Sequence, residues 1–189
     1  MKRQVIAGLA ALLLTGCGGE SSTSGAELRR VLDTSLATTG AVRSATGPMD
    51  LSLAAAATAV PRPMLEKFLR GNGFRAGYSR VWSSGDELTT ALAYRFSSGR
   101  SASDFVDYVA ARLATSAYDQ QFADPASPGS RGFNLVSRVR GSTRFCVGEL
   151  TSVGADALVV TRCAPYPLGP SAITPLAAKL RTHAEQVAS

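Results

Sequence analysis

The stretch that decides the fold is Cys146–Cys163, "CVGELTSVGADALVVTRC". Its middle, "VGAD", predicts a tight turn centred on Gly154-Ala155 between two antiparallel strands. Residues equally far from such a turn are paired across the hairpin, and Cys146 lies as far before it as Cys163 lies after it. The sequence therefore predicts that the two cysteines face each other.

This register has a geometric consequence for the cysteines. A two-residue loop makes Val153–Asp156 the closing hydrogen-bonded pair, and the pair type alternates outwards from it. Cys146 and Cys163 then form a non-hydrogen-bonded pair, whose short Cα separation lies at the lower end of the disulfide range. The register also gives two further pairs: Leu150 with Val159, and Val147 with Arg162.

We expect a disulfide here if the chain is exported, because oxidising compartments preserve such bonds; two reduced, buried cysteines are the alternative. The bond would lock the register. A slip of one residue would exchange the two faces of both strands.

The rest of the chain predicts helices, a hairpin, a helix, three strands and a closing helix. The predicted helices start at Ala26 (capping box Ser24–Glu27), Asp50, Pro63 (first turn), Ser101 (capping box with Asp104) and Thr174. The predicted strands are Tyr78–Trp82, Leu88–Phe96, Phe133–Val139, Thr143–Ser152 and Ala157–Cys163, with a long irregular loop at Asp119–Gly132. This order predicts an α+β fold: a mainly antiparallel sheet with helices packed on at least one face and one disulfide-linked hairpin.

The amino-terminal segment has the pattern of a secretory leader. Lys2 and Arg3 precede an apolar run, Val5–Leu14, about half as long as the ~20 residues of a membrane-spanning helix. The run ends in Leu14-Thr15-Gly16-Cys17, which resembles the lipobox of bacterial lipoproteins.

That resemblance implies a covalent membrane anchor. In this family the cysteine sulfur, here of Cys17, receives a diacylglycerol, the leader (here residues 1–16) is removed, and the new amino terminus is often acylated. Two or more acyl chains hold a protein stably on a membrane. We expect a lipidated Cys17 with a flexible Gly/Ser tether over 17–25, then one extracytoplasmic domain over 26–189, on the outer face of the cytoplasmic membrane. The alternative is a secreted protein whose spare cysteine lies in a discarded leader.

The order of elements in the folded part also resembles small extracytoplasmic lipoprotein domains of actinobacteria, including those with a PsbP-like sandwich. This resemblance rests on organisation alone, so it assigns no site residues.

Charge does not point to nucleic acid. The chain has 20 basic and 14 acidic side chains, and the leader contains Lys2 and Arg3 but no acid. The remaining excess is small and spread along the chain. Arg138, Arg140 and Arg144 surround one tight turn, which could meet an anionic lipid or cell-wall polymer or could simply be solvated.

No catalytic, cofactor-binding or metal-binding residues are predicted. His183 is the only histidine, so a Ser-His-Asp or Cys-His site would depend entirely on it. Nucleophile-elbow, P-loop and dinucleotide motifs are absent from the sequence. A metal site with several histidines is excluded, and the disulfide accounts for Cys146 and Cys163.

Carboxylates and aromatic residues need separate consideration. Asp104 and Asp107 share a helix, Asp86 and Glu87 share a turn, and Glu149 lies mid-strand, where we expect an ion pair with Arg162. The aromatic residues Tyr78, Trp82, Tyr94 and Phe96 cluster on the first hairpin, where they form either core or a ligand groove.

We therefore expect a lipid-anchored, non-catalytic binding or interaction domain whose partner is a cell-envelope protein, lipid or polymer. A carboxylate-based hydrolase and a lipid carrier are the alternatives. Two converging acids with raised pKa values would favour the hydrolase. A groove lined by Tyr78, Trp82 and Tyr94 would favour binding, and a large apolar cavity would favour the carrier.

Overall fold

The computed structural model describes residues 23–33, 45–114, 120–122, 128–139 and 141–188. The helices in these ranges are α1 (Thr23–Leu32), α2 (Leu51–Ala56), α3 (Arg62–Gly71), α4 (Gly99–Leu113), a 3-10 helix (Pro170–Ala172) and α5 (Thr174–Ala188). The strands are β1 (Gly47–Met49), β2 (Phe74–Ser84), β3 (Glu87–Phe96), β4 (Gln120–Phe122), β5 (Arg131–Val139), β6 (Ser142–Val153) and β7 (Asp156–Ala164). The predicted leader, Cys17 and the tether as far as residue 22 lie outside the described residues.

The strands form one seven-stranded sheet in the order β1-β2-β3-β7-β6-β5-β4. Every neighbouring pair is antiparallel. The last strand, β7, lies between β3 and β6, so the hairpin that contains both cysteines occupies the middle of the sheet. The predicted α+β fold with an antiparallel sheet is confirmed, and helices cover both faces of the sheet.

The central hairpin has the predicted register. Cys146 pairs with Cys163, Leu150 with Val159, and Val147 with Arg162. The two cysteines form a disulfide, with Cα atoms 4.1 Å apart. This bond joins the two strands near the end opposite to their turn.

One face of the sheet packs against α2, α3 and α4. Buried residues from β3, β6 and β7 meet helix residues in this layer: Leu92, Tyr94, Phe96, Leu150, Val159, Leu65, Leu69, Phe105, Val109 and Leu113. The phenol of Tyr94 is fully enclosed and donates to the carbonyl oxygen of Ala54 at 3.3 Å. Its burial raises the pKa of Tyr94, so this side chain stays neutral.

The other face packs against α1 and α5. Its buried residues come from four strands and from both helices: Trp82, Ala91, Ala93, Val147, Leu158, Val160, Leu28, Leu32, Leu180 and Ala184. Arg95 fixes α1 to this face, because its Nε and Nη2 atoms each lie 2.8 Å from a carboxylate oxygen of Asp156, while its Nη1 bonds to Glu27 in α1.

Two helix starts differ from the prediction. Helix α1 begins at Thr23, so residues 23–25, expected in the tether, belong to the helix. Helix α4 begins after Ser98, whose hydroxyl accepts from the backbone N–H of Ser101 at 3.2 Å. Ser101 therefore lies in the first turn and is not the cap. Helix α2 begins directly after its predicted start at Asp50, and Asp50 caps it by accepting from the N–H of Leu53.

The predicted irregular loop Asp119–Gly132 contains the short strand β4, which pairs with β5 through Gln121 and Phe133. A glycine makes this edge pairing possible. A Cβ atom on Gly132 would lie 2.2 Å from the ring of Phe122, so only glycine leaves room for that ring. Helix α5 buries Leu180 and Ala184 as predicted, whereas the predicted core residues Leu176 and Val187 are only half-buried.

Loss of the disulfide should weaken the fold without abolishing it. We expect Cys146→Ala/Cys163→Ala to lower the free energy of unfolding by at most about 3 kcal/mol, because the bond closes a short loop across strands that are already paired. Urea unfolding measures this, and reductant should bring the wild-type protein to the level of the double variant while leaving the variant unchanged. Free thiols at both positions under non-reducing mass mapping would contradict the pairing.

Candidate functional site

A cleft of about 330 Å³ opens on the face of the sheet that carries α1 and α5. It lies where β2, β3 and β7 meet the 3-10 helix and the first turns of α5. Its lining residues are Trp82, Ser84, Glu87, Thr89, Arg162, Ser171, Ala172, Pro175, Leu176 and Lys179. Four separate segments of the chain therefore build the site.

The floor of the cleft follows from strand register. Thr89 lies between Trp82 on β2 and Arg162 on β7, and the pair Ser84–Glu87 comes next along the hairpin. Because residues two apart on a strand share a face, all five side chains emerge on the same side of the sheet.

Two floor residues are largely buried, but their polar atoms are not sealed from solvent. Trp82 is 9% exposed and Thr89 is 7% exposed. Within the described ranges, the indole N–H of Trp82 and the hydroxyl of Thr89 have no hydrogen-bond partner. Neither atom is among the buried polar atoms that solvent cannot reach. Both groups can therefore bond to a molecule in the cleft.

Glu87 is the only carboxylate among the lining residues of the cleft that the structure describes. The Nε of Arg162 donates to its Oε2 at 2.9 Å, the Nη2 of Arg162 bonds to the same oxygen, and the hydroxyl of Tyr166 donates to its Oε1. These bonds, first that from Tyr166 and then those from Arg162, lower the pKa of Glu87. The carboxylate is thus ionised and already engaged by three donors.

The other charges of the cleft are positive. Arg162 shares its charge with Glu87, and its Nη1 also donates to the carbonyl oxygen of Ala172 at 3.4 Å. Lys179 is exposed on α5, and no acid in the described part of the chain pairs with it. The cleft therefore carries one cationic group whose charge no described carboxylate neutralises.

Of the two alternatives for the aromatic residues of the first hairpin, core or groove, the structure supports the core. Trp82 and Tyr78 face the layer of α1 and α5, whereas Tyr94 and Phe96 are buried in the opposite layer. The reason is pairing: Trp82 lies opposite Thr89, so the even-numbered aromatic residues of β3 emerge on the other face.

The predicted ion pair between Glu149 and Arg162 is wrong. Arg162 turns away from β6 and bonds to Glu87 on β3 instead. Glu149 is 2% exposed and lies within β6. Because the sequence pattern did not reveal that β7 pairs with β3, the true partner of Arg162 could not be predicted.

The remaining candidate residues lie elsewhere or have structural partners. Asp107 pairs with Arg131 at 3.1 Å, and the carbonyl oxygen of Asp86 accepts from Arg144. The side chain of Arg138 and the whole of Arg140 lie outside the described residues. The Nε2 of His183 lies 3.0 Å from the carbonyl oxygen of Arg30, so its N–H links α5 to α1.

The described ranges contain no group of three or more His, Cys, Asp or Glu side chains that could hold a metal ion. None of the helices in those ranges is both long enough and apolar enough to span a membrane.

Comparison with known proteins identifies the fold. No protein-family model and no curated protein matches the sequence. The chain is similar to the crystal structure of the extracellular domain of PknH from Mycobacterium tuberculosis, with a TM-score of 0.52 and 14% sequence identity. The alignment covers 85% of this chain and 91% of that domain. The two share a fold.

The hydrogen bonds to the carboxylate of Glu87 predict a contribution to the free energy of unfolding that is lost in acid. Because the pKa of Glu87 is lower in the folded protein than its ordinary value of 4.5, this contribution is complete above that value and is lost as the pH falls through the folded pKa. We expect the urea midpoint of the wild-type protein to fall more steeply on acidification than that of Glu87→Gln, with Tyr166→Phe in between. Parallel pH profiles for wild type and Glu87→Gln would contradict the assignment.

Proposed function

We propose that the chain is a lipid-anchored extracytoplasmic domain that binds a ligand in the cleft and does not transform it chemically. The observation that carries the proposal is the cleft floor, where Trp82 and Thr89 supply an indole N–H and a hydroxyl that have no hydrogen-bond partner among the described residues. Water or a ligand can bond to both groups, because neither is sealed from solvent.

Three features support an exported, membrane-anchored location. The leader ends in a lipobox-like sequence at Cys17, the disulfide is typical of an oxidising compartment, and the fold is that of a domain described as extracellular in PknH. The first of these supports the anchor, and the other two support export.

The size of the cleft suits a small molecule or one group of a larger ligand. Its volume of about 330 Å³ lies at the lower end of the range of ligand pockets. Apolar atoms of Pro175 and Leu176 form part of the wall, and hydroxyl and charged groups complete it. A lipid carrier would need an apolar cavity instead.

The chemistry of Glu87 favours binding over hydrolysis. A glycosidase needs two carboxyl groups, and its general acid needs a raised pKa. The cleft offers Glu87 with a lowered pKa, held by Arg162 and Tyr166. In this arrangement Glu87 stabilises the walls of the cleft and is not a proton donor.

The anchor can be tested by replacing its sulfur. We expect Cys17→Ser to release the protein from the membrane fraction. The change should also abolish labelling by a radioactive fatty acid, because only the thiol forms the thioether. Cys163→Ser is the matched control and should remain labelled and membrane-bound. Fatty-acid labelling of Cys17→Ser at the wild-type level would refute the anchor.

The cleft can be tested by blocking it. A small-molecule extract of the cell envelope should raise the thermal unfolding midpoint of the wild-type protein but not that of Ser171→Trp, whose indole would occupy the opening. Thr182→Trp, at an exposed position of α5 that does not line the cleft, is the control and should respond like wild type. Equal responses from both variants would place the binding site elsewhere.

A further inference from the structure

We propose that the cleft binds a small, water-soluble anion whose carboxylate or phosphate group pairs with Lys179. This inference rests on the proposal that the cleft is the binding site, and it specifies the chemical class of the ligand.

The charges of the described cleft lining do not balance. Glu87 and Arg162 form an ion pair within the cleft, which leaves the ammonium group of Lys179 as the uncompensated charge of its described lining. Asp86, the acid next to Glu87 in the chain, lies in the exposed turn between β2 and β3. An anionic group would restore neutrality in the cleft, whereas a cationic ligand would be repelled.

The open polar groups of the described cleft lining are mainly hydrogen-bond donors. An indole N–H and an ammonium group can only donate, and hydroxyl groups can donate as well as accept. The open groups of the cleft are of these kinds: Trp82 N–H, Lys179 Nζ and the hydroxyls of Ser84, Thr89 and Ser171. The one strong acceptor, Glu87, is already occupied by Arg162 and Tyr166. The ligand must therefore supply acceptors, as carboxylate and phosphate oxygens do.

Two sources supply such an anion: the surrounding solution, and lipid headgroups, which also carry phosphate. Glu27, near the start of α1, contacts Arg95, which is eight residues from Glu87 along β3. At about 3.3 Å per residue, Glu87 lies about 26 Å from Arg95 along the strand. A chain from Cys17 to Thr23 can span at most about 20 Å. The proposed anchor therefore attaches near the opposite end of the sheet, which favours a dissolved anion over a bilayer headgroup.

The chain provides two built-in probes for a test. Trp82 is the only tryptophan and lies in the cleft, so its fluorescence reports binding directly. Downstream of the leader the only lysines are Lys179, in the cleft, and Lys67, on α3 in the opposite helix layer. The rate at which each amine is acetylated therefore compares the cleft with a matched exposed position.

The experiment uses the full-length protein in a non-ionic detergent, with inorganic phosphate compared with chloride at equal ionic strength. We expect phosphate to change the emission of Trp82 and to slow acetylation of Lys179 by about fivefold or more, while the acetylation rate of Lys67 stays constant. Lys179→Gln should weaken phosphate binding about tenfold, since a charge-assisted hydrogen bond is lost. Lys179→Arg should retain binding, and Lys67→Gln should bind like wild type.

Three results would overturn the inference. Equal acetylation of Lys179 with and without phosphate would exclude the ion pair. A response of Trp82 to N-acetylglucosamine but not to phosphate would make the ligand neutral, and the cleft would remain the binding site. Finally, the protein can be reconstituted into phosphatidylcholine vesicles with and without phosphatidylglycerol. Protection of Lys179 by phosphatidylglycerol alone would identify a lipid headgroup as the source.

Discussion

The pairing of Cys146 with Cys163 is the constraint on which the rest of the molecule depends. It fixes the register of β6 and β7, the two strands at the middle of the sheet, and so decides which side chains enter each helix layer. If one strand slipped by a residue, Arg162 would point into the apolar layer of α2, α3 and α4. The covalent bond opposes that slip in the folded protein, because it joins the two strands at one fixed pair.

The cleft is a consequence of this register. Correct pairing puts Arg162 on the same face as Thr89 and Trp82, and the pairing of β7 with β3 brings it within reach of Glu87. Together with Tyr166, this ion pair connects β3 to the segment that follows β7. The 3-10 helix and α5 continue from that segment. The insertion of β7 beside β3 therefore also positions Lys179 beside the floor of the cleft.

Local signals in the sequence predicted the local structure well. The position of the turn in "VGAD" predicted the register of the central hairpin, and Asp50 predicted the start of α2. Both predictions succeeded because turns and helix starts depend on residues close in the chain. The misplaced start of α4 had a rival nearby, because Ser98 competes with Ser101 for the cap. Strand β4 was missed because its pairing depends on the fit of Phe122 over Gly132, which no local pattern reveals.

The candidate site was harder to predict because it is assembled from distant segments. Glu87, Arg162 and Trp82 were each recognised as notable, but their grouping depends on the insertion of β7 beside β3. Lys179 carried no signal at all, since a lysine on a helix is an ordinary surface residue. Strand order is a property of the whole chain, and a single sequence without a matching family leaves it undetermined.

The salt bridges of Arg95 also have a mechanical consequence. One guanidinium group holds both Asp156, at the turn of the central hairpin, and Glu27, in the first half of α1. A pulling force applied to the amino-terminal end of the chain would reach the sheet through this ionic junction before it stretched the apolar contacts of α1. This junction lies at the end of the domain to which the proposed anchor would be joined.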